Sequence, residues 1–448
     1  MYIKNFKELV RDNLHEMVLQ LVEHALTAAD PWRAVVDNLR FTGNTLVIKD
    51  FAVGVEGGVH VVGFGKASKR MAMALHHVLG EKIKGGVVIT PYEEGYVGKI
   101  RLVKGDHPIP RENTFKSSQM LIDYLVKNVG LDDLVIVLIS GGGSALFEIP
   151  EEGVSMKDIA WISRELMKRG ADIFELNAVR KRFSRVKGGK FLRFIKAKHV
   201  VSLIVSDVIG DRLDTIASGP TSPDETTFND VYNTLVKYGL WNELSVEMKT
   251  LIDNGLKGKI EDTPKPGDPI FEKVRNIIVA SNTIVLKSIA RRAREMGFNT
   301  IVLTSMLEGE AKEVGRVLGS IIKSIYFHSL PVSKPVVVLA GGETVVTVMG
   351  KGIGGRNQEL CLSLLLSIKG LQDIVAVCIG TDGIDGVSPA AGAIIDGSTY
   401  QEAISKGLNP RDFLNNNDSY TFFSKLKRTI ITGYTDTNVN DVFIAVLK

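Results

Sequence analysis

Four glycine-rich stretches, each directly after an apolar run, carry the residues best suited to chemistry: VVGFGK (61–66), ISGGGSA (139–145), LAGGET (339–344) and GIGGRNQE (352–359). A strand followed by a glycine turn and a helix presents backbone N–H groups to an anion. In the first stretch Gly63 and Gly65 let the backbone approach a ligand, and Lys66 adds a positive charge where a helix begins. A tight βα turn with a surface lysine is the plainer reading. In the second, Gly141, Gly142 and Gly143 give up conformational entropy for unusual φ values and open N–H groups, while Ser140 and Ser144 add hydroxyls. That composition suits a phosphate cradle. Neither stretch fits a standard fingerprint. Ser68 stands where G-x-G-x-x-G needs its last glycine, the spacing before Lys66 is not that of a P-loop, and Leu146 excludes a G-x-S-x-G elbow at Ser144.

The third and fourth stretches bring Gly342 and Glu343 together with Arg356, Asn357 and Gln358. A guanidinium at a helix start can grip a carboxylate or phosphate with two parallel hydrogen bonds. Carboxylates follow two other apolar runs. Asp207, Asp211 and Asp214 lie in SDVIGDRLDTIASGPTSPD (206–224), and Asp382 and Asp385 in GTDGIDG (380–386). Asp207 or Asp382 can hold Mg²⁺ through one or two oxygens plus water, or accept a proton from a hydroxyl. Turn and helix capping is the structural alternative. The basic run Arg180-Lys181-Arg182, with Arg185, Lys187 and Lys190, reads as a solvated helix face or as part of an anion site. His107 in DHPIP (106–110) reads as a turn residue more readily than as a catalyst. The histidine and cysteine spacings offer no zinc site.

Apolar runs alternating with helical patterns must position these groups. Strands are expected at 60–64, 86–90, 101–105, 134–139 and 200–206, with helices near 67–79, 113–129, 154–169 and 172–195. After a polar stretch at 218–228, helices near 228–238 and 243–256 lead to a second series of strands at 276–281, 300–305, 335–340, 374–380 and 442–447. This order predicts an α/β fold: two Rossmann-like three-layer α/β/α domains with mostly parallel sheets and an interdomain active-site cleft. The boundary is expected near residue 225, giving domains 1–225 and 226–448. Residues 1–26 read as an amphipathic helix rather than a signal peptide.

Charged residues make up 24% of the 448 and the net charge is only +4, so no basic nucleic-acid stripe is expected. Two cysteines exclude a disulfide scaffold and point to a reducing, cytoplasmic setting. No apolar run is long enough to span a bilayer. Scarce glutamine with abundant Lys, Ile and Val leans towards a thermophile. The oligomeric state is not readable, with a homodimer as the candidate.

Taken together and in order, GFGKAS, DHPIP with ENT (112–114), LISGGGSALFEIP, LNAVRKRFSRVKGGK, VSDVIGDRLDTIASGPTSPD, GGETVV, GIGGRNQE, GTDGIDG and TGYTDTNVND resemble the MOFRL-type, or class II, glycerate kinases over nearly the whole chain. The resemblance places the MOFRL region at about 335–445. It implies ATP- and Mg²⁺-dependent phosphorylation of D-glycerate to 2-phosphoglycerate in a cleft between two α/β domains. The family's implicated lysine falls on Lys66 and its arginine on Arg356. Under that reading Gly65, Ser140–Ser144, Gly342 and Glu343 bind the nucleotide. Arg180, Arg356 and Asn357 bind glycerate, and Asp207 and Asp382 are the metal candidates, Asp207 also being a candidate base. TGYTDTNVND has Tyr and Asp where smaller residues are expected. The alternatives are an NAD(P)H-dependent hydroxypyruvate reductase, against which the missing G-x-G-x-x-G counts, and a small-anion binding protein.

Overall fold

The runs VHVVGF, LVIVLI and HVVSLIV lack polar alternation, the pattern of strands covered on both faces. They form Val59–Phe64, Leu134–Ile139 and His199–Val205, buried throughout except at His199. The computed structural model describes every residue except residue 93 and divides into two compact units, residues 31–279 and residues 1–30 with 280–448.

The unit of residues 31–279 is built on a seven-stranded sheet. Its order is Val274–Ala280, His199–Val205, Leu134–Ile139, Val59–Phe64, Ile83–Thr90, Ile100–Lys104 and Gly95–Val97. The four pairings from His199–Val205 to Ile100–Lys104 are parallel, and the last is antiparallel. Helix Glu112–Asn128 buries Leu121, Ile122 and Leu125 with Val62, Phe64, Val87 and Ile89 in one apolar cluster. Each such side chain contributes roughly 1.5–3 kcal/mol on burial, so this layer rather than the polar loops fixes where the strands end. A three-stranded antiparallel sheet, Leu39–Thr42, Thr45–Ile48 and Phe51–Gly54, precedes the main sheet. Its four-residue strands are too short to show a periodicity in sequence.

The expected boundary near residue 225 falls inside this unit. Helices Phe228–Lys237 and Val246–Leu256 share an apolar cluster with Met156–Lys168 and Ile173–Arg182, through Val231, Leu235, Met248 and Ile252 against Ile159, Ile162, Leu166 and Val179. The strand expected to open the second domain instead joins the first sheet, beside His199–Val205. The solvated reading of the basic run is also corrected. Lys181 and Arg182 are buried and both pair with the buried Asp224, at 3.0 and 2.5 Å, while Thr263 donates to the same carboxylate at 2.9 Å.

Burial works against ionisation of Asp224, but Lys181 and Arg182 outweigh it and hold its pKa at about 2, below the ordinary 3.8. A carboxyl depressed in the folded state stabilises the fold above its unfolded pKa and loses that contribution as pH falls through the folded value. This cluster therefore gives about 2 kcal/mol at neutral pH that disappears between pH 4 and 2. Acid unfolding of Asp224→Asn should lack that step. At pH 7 the variant should be less stable by about 3–5 kcal/mol, because two buried cations lose their partner. Urea titrations at pH 7 and pH 3 would check both.

The unit of residues 1–30 and 280–448 has a six-stranded sheet. Its order is Asn299–Leu307, Val336–Gly342, Asp441–Leu447, Ile374–Gly380, Gly392–Asp396 and Thr429–Ile430. Asn299–Leu307 and Val336–Gly342 are parallel. The final strand, Asp441–Leu447, lies antiparallel between Val336–Gly342 and Ile374–Gly380, which share one direction. The α/β architecture thus holds in both units, with a mixed sheet here because the chain's end returns to mid-sheet and the edge strands Gly392–Asp396 and Thr429–Ile430 also pair antiparallel. Helix Asn13–Ala29, capped by Asp12, belongs to this unit. Its His15 meets Asp396 at 3.1 Å, and Arg428 bridges Asp396 and Glu402 at 2.9 Å each. Among the described residues no helix is long and apolar enough to cross a membrane.

Candidate active site

In the unit of residues 31–279, two strands end side by side at glycine turns. Val59–Phe64 runs into Gly65-Lys66, and Leu134–Ile139 into Ser140–Gly143. The turns brace each other. Lys66 donates its backbone N–H to the Gly141 carbonyl at 2.9 Å, and Ala67 donates to Ser140 Oγ at 3.0 Å. Gly65 bonds through its N–H to the Ile89 carbonyl. Ser140 is buried, so its hydroxyl serves this brace. Ser68 Oγ likewise donates to the Gly65 and Ile89 carbonyls.

The amides of Gly143, Ala145 and Leu146 bond within the turn, to Ser140 and Gly142 carbonyls. Those of Gly141, Gly142 and Ser144 have no hydrogen-bond partner among the described residues. Three side chains surround them. Asp207 lies so close over Gly141 that a Cβ there would overlap its carboxylate. Over Gly142, a Cβ would stand 3.0 Å from His107 Nε2 and 3.4 Å from Lys66 Cε. No carboxylate pairs with the Lys66 ammonium among the described residues. Ser144 Oγ reaches Ser218 Oγ at 2.9 Å, and Ser218 in turn donates to Asn177. Ala217 and Ser218 have φ of 51° and 60°, left-handed values costing roughly 1–2 kcal/mol per residue, and Ala217 packs against Gly143.

Behind the turn, the buried Lys187 donates to the Ser144 and Phe147 carbonyls at 3.0 and 2.7 Å and pairs with buried Glu148 at 3.1 Å. Burial pushes its pKa down, against the pull of Glu148. Lys187 was visible in sequence only as one of a basic run, and nothing there marked it as the loop's support. Arg180 is partly buried, its Nε on Ser163 Oγ at 3.0 Å. Gly142 has φ +80°, so Gly142→Ala combines backbone strain with intrusion between Lys66 and His107. We expect this variant to fold with about 1–2 kcal/mol less stability and at least a hundredfold lower kcat/KM, checked by thermal unfolding and steady-state kinetics.

The other unit carries Arg356 at the first position of helix Arg356–Ile368. Its guanidinium holds Asp441 with two hydrogen bonds, Nε to Oδ2 at 2.7 Å and Nη2 to Oδ1 at 3.1 Å, and reaches Glu343 from Nη1 at 2.7 Å. A guanidinium has five N–H donors, so two remain for a ligand after these three bonds. Burial alone would lower the Arg356 pKa, but Asp441 and Glu343 outweigh it and raise it. Burial lifts the Asp441 carboxyl to about 6, with Arg356 opposing and Asp385 adding to the rise, so the pair is ionic at neutral pH.

The helix cap, Gly355, has no side chain, and Asp385 takes its place. It accepts the N–H of Asn357 at 3.0 Å and of Gln358 at 2.8 Å, as well as both side-chain amides. Asn357 is buried and also donates to Asp441 at 2.9 Å. Asn357 thus holds the carboxylate that holds Arg356. Gly342 is buried at the end of its strand, paired with Asp441 and packed on the Leu307 backbone. Asp382 is half-buried beyond strand Ile374–Gly380, accepting the Ile384 N–H at 3.2 Å. Among the described residues no cluster of three or more His, Cys, Asp or Glu side chains could hold a metal ion.

Residues 17–253 match the family described as a domain of unknown function, DUF4147, and residues 336–441 match the MOFRL family. The chain is 40% identical to a glycerate 2-kinase of Pyrococcus horikoshii over 98% of each chain. It is also 40% identical to a D-glycerate 2-kinase of Thermotoga maritima, over 97% of this chain and 99% of that one. An Agrobacterium vitis protein provisionally named a hydroxypyruvate reductase is 37% identical over 95% of this chain and 93% of its own length. The crystal structure of a Thermotoga maritima glycerate kinase superposes with a TM-score of 0.86 at 40% identity, covering 97% of this chain and 99% of that one. Sequence likeness over the full length, both matched domains and the shared fold agree: the chain belongs to the MOFRL-type glycerate kinase family.

Proposed function

We propose that this protein is a glycerate 2-kinase that transfers the γ-phosphoryl group of ATP to the 2-hydroxyl of D-glycerate, giving 2-phosphoglycerate and ADP. The observation that carries the reading is the cradle at residues 140–144: three amides without partners among the described residues, with the Lys66 side chain beside Gly142 and no described carboxylate paired with it. Phosphoryl transfer asks a protein for positioning and charge stabilisation rather than covalent chemistry. The amides of Gly141, Gly142 and Ser144 receive phosphate oxygens. Lys66 offsets charge on the transferring group. Arg356, with two N–H groups to spare, binds the glycerate carboxylate, and Arg180 is the alternative cation for that role. Asn357, Glu343 and Asp441 hold Arg356 in place.

Asp207 suits a magnesium ligand. Its carboxylate lies against Gly141 where any side chain would displace it, and Mg²⁺ on phosphates typically takes only one or two protein carboxylates. Asp382 is the second candidate. Bound there, the ion would neutralise phosphate charge. The reductase reading draws on the name of the Agrobacterium relative. Against it, Ser68 occupies the position of the fingerprint's last glycine and its hydroxyl is used inside the turn. Two assays separate the readings. ADP should form from ATP, Mg²⁺ and D-glycerate, whereas NADH absorbance should stay constant with hydroxypyruvate. NADH oxidation without ADP formation would reverse the assignment.

A further inference from the structure

We infer that His107 is a further donor of the phosphate cradle, its imidazole binding the polyphosphate of the nucleotide beside Lys66; this rests on the kinase reading above. The turn that carries His107 is fixed by its neighbour. Asp106 accepts the Thr114 N–H at 3.1 Å and the Asn113 side chain at 2.9 Å, while its own N–H donates to Thr114 Oγ1 at 2.9 Å. Thr114 Oγ1 also bonds the Ala145 carbonyl at 3.1 Å, so the turn is tied to the glycine loop itself. From that anchor the Nε2–Cδ2 edge of the ring is turned to Gly142, both atoms lying within 3.0 Å of the point a Cβ would occupy. Lys66 Cε stands 3.4 Å from the same point. Two cation-capable side chains from different segments therefore converge on a residue whose amide has no partner among the described residues.

Neither ring nitrogen of His107 hydrogen-bonds another described residue, and the residue is exposed to solvent beside the cradle. Partial burial, helped by Lys66, pushes the imidazole pKa below its ordinary 6.5. The ring is therefore neutral at pH 7.5 and offers one N–H without adding a second full charge next to Lys66. The ring N–H calls for an acceptor, and the three neighbouring amides, also donors, make that ligand an oxyanion.

Isothermal titration of the full-length protein with the β,γ-methylene analogue of ATP and Mg²⁺, and separately with D-glycerate, tests this. His107→Leu should weaken the analogue about tenfold while changing D-glycerate binding by less than twofold. His107→Asn, which keeps an N–H donor, should recover part of the loss. Unchanged thermal unfolding in both variants would show that the fold is retained. Analogue binding within twofold of wild type in a folded His107→Leu, or a loss confined to D-glycerate, would overturn the proposal and leave the kinase reading intact. A wild-type protein that binds no analogue and makes no ADP would overturn both.

Discussion

Lys66→Ala should lower kcat/KM by about a thousandfold or more, a loss of about 4 kcal/mol in transition-state stabilisation. The drop should fall mainly on kcat, because the charge that Lys66 meets grows as the phosphoryl group leaves ADP. The fold should be indifferent to the change. Lys66 is exposed, its side chain forms no ion pair among the described residues, and the turn is held through its backbone N–H. Thermal unfolding should therefore shift by no more than an ordinary surface substitution, within about 0.5 kcal/mol. Steady-state kinetics beside a melting curve would separate the two effects. Near-normal turnover would remove Lys66 from the chemistry.

Arg356→Ala should fail differently. Here the side chain is part of the packing of its own unit, and its loss leaves Asp441 buried near Asp385 without a cation. We expect about 3–5 kcal/mol of destabilisation together with loss of activity by two to three orders of magnitude. Arg356→Lys distinguishes the contributions. The lysine keeps a charge for Asp441 but cannot make two parallel bonds to it and still reach Glu343 and a ligand. Most of the stability should return while kcat/KM stays low, with the defect in KM for D-glycerate. A lysine variant with wild-type KM would show that Arg356 serves the fold and not the substrate.

These two residues illustrate how far the chain could be read before its structure was known. Lys66 and Arg356 were marked by chemistry carried in local sequence, a glycine turn with a cation after an apolar run. The α/β class and the strands Val59–Phe64 and Leu134–Ile139 were legible for the same reason, since continuous aliphatic runs bounded by glycine admit few other readings. What escaped depends on pairing between distant segments. The final strand enters the middle of the second sheet, and Val274–Ala280 joins the edge of the first, because of register partners that local pattern does not encode. The same holds for Asp385, which caps a helix from a separate loop, and for Lys187, which supports the glycine turn from inside the core. A basic run in sequence does not reveal which of its members will find a buried carboxylate. Lys181 and Arg182 found Asp224, more than forty positions further on.

Phosphorus NMR of the product formed from ATP, Mg²⁺ and D-glycerate tests both the phosphoryl transfer and the hydroxyl that receives it. ATP signals should give way to those of ADP and of 2-phosphoglycerate, in equal amounts. A 3-phosphoglycerate signal would contradict the choice of hydroxyl, and ATP remaining intact with active, folded protein would contradict the kinase itself.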